Sequence, residues 1–289
     1  MEAFVQQVIA GLTTGCAYAL LGLALVVVYR STHHVNFAQG EMATLSTYVA
    51  WSLLQFGLSY WVSFGVTLLI SFVVAAATER WLIGRLRGAT PLATVAAFIG
   101  LFMIIHGMTG HIWGYDVRDF PSPFPDRSFF DGILSAHQVG MMAVTATMLL
   151  LLWAFFRFTS LGLGIRAAAQ NPASAKLSGV STRSMSAIGW GLAAVMGAVA
   201  GMMIAPQLYL DPHMMSGVLI YGFAAALLGG IQSKPGAVIG GLLLGVAENM
   251  LGAYLVGTQL KLTVAFALIV AVLVLRPQGL FGRRSALRV

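Results

Sequence analysis

Polar and small residues divide the chain into apolar runs of roughly 15 to 25 residues, the length at which a helix crosses a hydrocarbon core about 30 Å thick. The runs fall at Phe4–Val28, Phe37–Phe56, Tyr60–Ile83, Leu92–Trp113, His137–Phe156, Ser186–Ala205, Gly217–Ile231, Pro235–Val256 and Leu262–Leu275. The pattern predicts an all-α fold, a polytopic transmembrane helix bundle of about 8–10 spans in a single domain over 1–289. The second and seventh runs are short or polar for full crossings, so broken or re-entrant segments are expected there.

Composition agrees with the pattern. Of the 289 residues 58% are hydrophobic and 9% charged, against about 25% charged in a soluble domain. Cys16, the only cysteine, lies within the first run and reads as a packing residue. The first run carries Glu2 and no Lys or Arg ahead of it, so it is expected to remain as a helix rather than serve as a cleaved signal.

Charge placement predicts orientation. One alternating set of loops carries Arg30; Arg80, Arg85 and Arg87; Arg157, Arg166, Lys176 and Arg183; Lys234; and Arg276, Arg283, Arg284 and Arg288, which is 13 of the 16 Lys and Arg. The other set holds Arg118, Arg127 and Lys261 together with Glu2, Asp116, Asp119, Asp126, Asp131 and Asp211. The N-terminus is therefore expected outside and the C-terminus inside. The net charge of +7 fits a cytoplasmic face near anionic lipid and calls for no nucleic acid.

Two loops are long. The external loop, 114–136, is rich in Pro, Asp and Phe and reads either as an ordered cap or as a plain solvated loop. The internal segment, 158–183, has cations and no acid. Within it, residues from Leu161 to Asn171 suit a short helix with Ser160 as N-cap and Pro172 as its stop, and Ala173 to Leu177 a second turn closing at Gly179. Glycines four apart (Gly11 and Gly15, Gly197 and Gly201, Gly236 and Gly240, Gly241 and Gly245) predict close helix crossings. Trp51, Trp61, Trp81 and Trp113 lie near run ends and read as interfacial anchors, and the Met pairs after Gly201 and His213 as packing.

Catalytic signatures do not emerge. GGIQSKPG lacks the spacing of a phosphate-binding loop, and no HExxH or GxSxG occurs. His106 and His111, five apart, do not share a helix face, and the His33 and His34 pair beside Arg30 reads as an interfacial face. Glu41 and Glu248 are acids within the runs, at a cost of about 2.5 to 3.5 kcal/mol for an acid at a helix centre. Glu41, near the cytoplasmic start of the second run, follows Asn36, Phe37 and Gly40; Glu248, about midway along the eighth, precedes Asn249. They act either as internal hydrogen-bond acceptors or as part of a solute path. An ion- or proton-coupled secondary transporter titrating Glu41 and Glu248 is the alternative reading.

NFAQGEMATLSTY, GLGIRAAAQNPASAKLSGVS and LRPQGLFG, in that order over essentially the whole chain, resemble the permeases of branched-chain amino acid ATP-binding-cassette importers, and the shorter of that system's two permeases in particular. The resemblance implies a multi-pass subunit of the bacterial cytoplasmic membrane, without cofactor or ATPase activity of its own. ATP and Mg would be bound by two cytoplasmic ATPase subunits, alongside a second permease, related or identical, and a soluble external binding protein. Arg166, Ala168, Gln170, Asn171, Ala175, Leu177 and Gly179 match the family's ATPase-coupling segment; Asn36, Phe37, Gly40, Glu41, Glu248 and Asn249 are the translocation-path candidates. Branched-chain amino acids, urea, amides and other small solutes are all compatible with such a permease, because specificity lies mostly in the binding protein.

Overall fold

A computed structural model describes residues 2–32, 34–86, 88–129, 132–257, 260–276 and 278–282. His33, Arg87, Asp131, Pro277, Arg283, Arg284 and Arg288 lie outside the described residues.

Each apolar run becomes one helix: α1 (Glu2–Thr32), α2 (Gln39–Gln55), α3 (Tyr60–Trp81), α4 (Pro91–Trp113), α5 (Ala136–Phe158), α8 (Thr182–Leu208), α9 (Met214–Gly229), α10 (Lys234–Leu251) and α11 (Lys261–Leu275). The loop between α5 and α8 folds as α6 (Ser160–Gln170) and α7 (Pro172–Leu177), and a π turn, Gly252–Val256, extends α10. Among the described residues six helical stretches are long and apolar enough to cross a membrane. Helices α2, α9 and α11, with 17, 16 and 15 residues, reach only about 23 to 26 Å at 1.5 Å per residue.

The core forms around α1, which is buried on every side from Gly15 to Val28 and packs along α8, α9 and α10. Its lack of an amphipathic stripe is the sequence signature of that position. The predicted glycine pairs account for its closest contact. A Cβ at Gly245 would run into the backbone of Gly11 and Gly15, and one at Gly241 into Ala19, so α1 and α10 meet backbone to backbone. Gly197 and Gly201 accept Gln39, Ala43 and Thr47 of α2, and Gly236 and Gly240 lie against Ala225 and Gly229 of α9. All the predicted pairs sit at helix crossings.

A long helix is followed by a short one in α1 then α2 and in α8 then α9. Neither short helix starts at a bundle end. Gln39 Nε2 donates to the Ala193 carbonyl at 3.0 Å, eleven residues into α8, or about 16 Å along it. Non-helical backbone at such depth survives only where protein satisfies its polar groups. Asn36 does this: Oδ1 accepts from Ala38 N at 3.0 Å and Nδ2 donates to Gln39 Oε1 at 3.3 Å. Ahead of α9, Asp211 Oδ1 accepts from His213 N at 2.6 Å. The turn there includes Tyr209 at φ 64, the only non-glycine with positive φ among the described residues.

Among the described residues, the loop between α4 and α5 packs on the bundle as a cap. Strands β1 (Ser128–Phe129) and β2 (Leu134–Ser135) pair as a hairpin, Phe120 is buried, and Arg118 forms a two-way backbone bridge with Leu210. Two tryptophans depart from the anchor expectation: Trp113 Nε1 donates to Ser52 Oγ at 2.8 Å, and Arg118 lies 4.5 Å from the Trp51 ring centre. Both tie the cap to α2 and α4 because their polar edges find protein partners first. Trp61 and Trp81 remain exposed on the outer surface.

Replacing Gly245 with Ala is expected to cost about 1–3 kcal/mol through overpacking, whereas Gly100→Ala, where a Cβ meets nothing within 4 Å, should be neutral or stabilising. Thermal unfolding of the detergent-solubilised variants checks this; equal behaviour of the two would contradict the close crossing.

Candidate functional site

Glu41 lies in the first turn of α2, far from the basic bundle end, and is 1% exposed. This corrects the expectation of a position near the cytoplasmic start of a span: the chain has already returned into the bundle before α2 begins, so Glu41 sits at depth. His106 Nδ1 of α4 lies 3.1 Å from Glu41 Oε2. His106 stacks on Phe102, with ring centres 6.0 Å apart, and meets His213 at 4.5 Å. His213 and Tyr115 are exposed, so the Glu41–His106 pair leads from the buried start of α2 to the surface below the cap. Gly40 allows α2 to approach Met215 and Leu219 of α9. The first turns of both short helices therefore lie beside the pair, and neither has a side-chain cap.

The other path candidates divide in two. Asn36 is fully buried and committed to the turn before α2, while Phe37 is exposed and faces Phe223 at a ring distance of 5.7 Å. Glu248 and Asn249 belong to a second network beyond the middle of α10. Tyr18 OH of α1 donates to Glu248 Oε2 at 2.8 Å, Lys261 Nζ of α11 lies 4.0 Å from Glu248 Oε1 and donates to Asn249 Oδ1 at 3.1 Å, and Asn249 Nδ2 donates to Thr14 Oγ1 at 3.1 Å. Tyr18 stacks on Tyr221 of α9 at 4.7 Å. This network joins α1, α9, α10 and α11. It also gives Lys261 a partner, as the cap does for Arg118, which accounts for two of the cations on the acidic side of the charge pattern.

Sequence reading missed His106, His213, Tyr18 and Lys261 as partners. His106 and His213 carried a signal, as imidazoles beside or within apolar runs, but His106 meets Glu41 from 65 residues away in sequence and His213 joins them through the His106 ring. The contact between Glu41 and His106 makes this cluster a hydrogen-bonding site.

At the basic end the segment between α5 and α8 is a capped helical pair. Thr159, rather than Ser160, is the N-cap of α6, its Oγ1 accepting from Gly162 N at 3.0 Å. Thr159 precedes the first helical residue by one, the position from which a side-chain oxygen reaches the free amides. Pro172 stops α6 and also opens α7, where its missing N–H costs nothing. Asn171 caps α7 through Oδ1, 3.0 Å from Ser174 N, and Gly179 at φ +80 ends the motif. Gln170 and Asn171 are exposed, Ala168 is half-buried, Ala175 is buried against the bundle and Leu177 is 91% exposed. Arg166 is half-buried and turned toward Arg30 and Lys234.

A double-mutant cycle on Tyr18→Phe and Glu248→Gln is expected to return a coupling of about 1.5–3 kcal/mol in unfolding free energy, the range for a hydrogen bond to a charged group. Additive effects would show that the 2.8 Å contact does not bind α1 to α10.

Residues 7–273 match the family described as branched-chain amino acid transport system, permease component. Relatives span the whole chain. The high-affinity branched-chain amino acid transport system permease protein LivH of Escherichia coli (strain K12) is 31% identical over 99% of this chain and 98% of its own. BraD of Pseudomonas aeruginosa, of the same description, is 30% identical over the same shares, and a probable LivH of Methanocaldococcus jannaschii 28% over 91% and 88%. PsaBC from Streptococcus pneumoniae in complex with Fab covers 91% of this chain and 89% of its own at 14% identity with a TM-score of 0.48, too remote a likeness to bear on function. The six helical stretches long and apolar enough to cross a membrane among the described residues agree with the full-length similarity: this chain is a polytopic membrane protein of the branched-chain amino acid transport permease family.

Proposed function

We propose that this permease is the membrane subunit of an ATP-driven importer in the bacterial cytoplasmic membrane, N-terminus outside and C-terminus inside. It pairs with a second permease, related or identical, receives a branched-chain amino acid or similar small polar solute from a soluble external binding protein, and takes its driving force from two cytoplasmic ATPase subunits that bind ATP and Mg. The observation that carries the reading is the α6–α7 pair: two capped short helices between spans, without an acid, presenting Gln170, Asn171 and Leu177 away from the bundle while Ala175 anchors them to it. An apolar side chain as exposed as Leu177 on a rigid element suits a groove on another protein. Arg166, Ala168 and Gly179 support the same surface from beneath, by charge, small size and the left-handed stop.

The solute path is proposed to run past Glu41 and His106, where the uncapped first turns of α2 and α9 meet. Helix N-termini favour the carboxylate of a zwitterion and a buried carboxylate favours its ammonium group. The Glu248 network is proposed to hold the helices that frame this path, since all its polar atoms engage protein partners.

Two expectations follow. In the assembled transporter, Arg166→Ala with Gln170→Ala should reduce co-purification of the ATPases and transport together by tenfold or more (about 1.4 kcal/mol per tenfold); both remaining intact would refute the coupling role. Glu41→Gln should leave ATPase assembly unchanged and lower solute uptake in proteoliposomes by about tenfold or more, while wild-type uptake by this chain without ATP under an ion gradient would favour the ion-coupled alternative.

A further inference from the structure

At the basic end, Arg30 closing α1, Arg166 on α6 and Lys234 opening α10 line one shallow recess together with Val27, Phe156 and Ile165. No acid lines it. The three cations are close enough to repel one another, and Lys234 adds a positive charge at a helix N-terminus, where the macrodipole already disfavours one. Its Nζ lies 3.0 Å from the centre of the Phe156 ring, which faces it with electron density but no formal charge. The buried Nε of Arg166 has no hydrogen-bond partner. Three cations from three separate helices, one with a buried donor unused, form an arrangement that an anion would complete.

The recess continues into an apolar crevice of about 340 Å³ between α1, α5 and α10, and the two share Val27, Phe156 and Lys234. Leu23, Leu152 and Val238 form its walls. Trp153 and Ile239, exposed on the outer surface, mark where it opens to the membrane. A charged recess at the membrane edge that leads into a slot lined by hydrocarbon matches an amphiphile with an anionic head.

We propose that an anionic phospholipid binds here, its phosphate across Arg30, Arg166 and Lys234 and an acyl chain in the crevice between α5 and α10. Basic pockets between transmembrane helices recognise lipid headgroups in this way. Because Arg166 belongs to α6, the lipid tethers the α6–α7 pair to α1 and α10. That regulatory consequence rests on the coupling role proposed above, whereas the site itself requires only that the chain spans a bilayer.

The test is native mass spectrometry and thermal unfolding of the full transporter, delipidated in neutral detergent and titrated with phosphatidylglycerol, phosphatidylcholine or inorganic phosphate. Phosphatidylglycerol should be retained and raise the unfolding temperature, with phosphatidylcholine and phosphate at matched concentration doing neither. Lys234→Gln and Arg30→Gln should each weaken phosphatidylglycerol binding about fivefold, Lys234→Arg should restore it, and Ile239→Trp, which fills the crevice mouth, should weaken it with all the cations intact. Equal binding of both lipids, stabilisation by inorganic phosphate alone, or indifference to Lys234→Gln would overturn the proposal. Failure of the coupling role alone would leave lipid retention unchanged and appear only as unaltered ATPase assembly in the Arg166 and Gln170 variant.

Discussion

The structure depends on the backbone contact between α1 and α10. Lipid tails are as apolar as leucine, so two helices gain little from the hydrophobic effect by meeting in a bilayer; they associate by close packing and polar contacts. Gly11, Gly15, Gly241 and Gly245 bring these helices together without intervening side chains, and that proximity lets Tyr18 reach Glu248 and Thr14 reach Asn249. Small-residue packing and polar bonding are thus one device. The glycines set the distance at which the polar pairs form, and the polar pairs oppose sliding along a smooth glycine groove.

A buried α1 has a second consequence. Surrounded by α8, α9 and α10 it forms an interior in which backbone can leave the helical conformation, which is what α2 and α9 require in order to start at depth. The turn before α2 is stabilised by Asn36, a residue that in a lipid-facing position would be expensive and here supplies the bonds a continuing helix would have made. The Glu41–His106 pair is the polar feature left over at that junction. A carboxylate at such a position is tolerated because it has a partner.

The two ends of the bundle manage charge differently. On the acidic side, Arg118 and Lys261 are neutralised or enclosed by protein. On the basic side Arg30, Arg166 and Lys234 face one another unrelieved. These charges lie beneath the helical pair that presents Leu177.

Much of this was legible in the chain because membrane insertion imposes local rules. Helix number, the short second and seventh helices, the four-residue glycine spacing and the capped segment from Thr159 to Gly179 follow from span length, backbone satisfaction and turn chemistry, each acting within a few residues; even there the cap moved from Ser160 to Thr159. Glu41 and Glu248 were conspicuous in sequence for the same reason, since an acid in an apolar run is costly. Their partners were not legible. His106, Tyr18 and Lys261 are ordinary residues in their own helices and gain a role only from crossings between segments far apart in the chain. The depth of Glu41, the convergence of three cations and the crevice beside them were likewise decided by tertiary packing, because depth and proximity depend on how helices cross, and a one-dimensional pattern records which face a helix buries but not what it meets there.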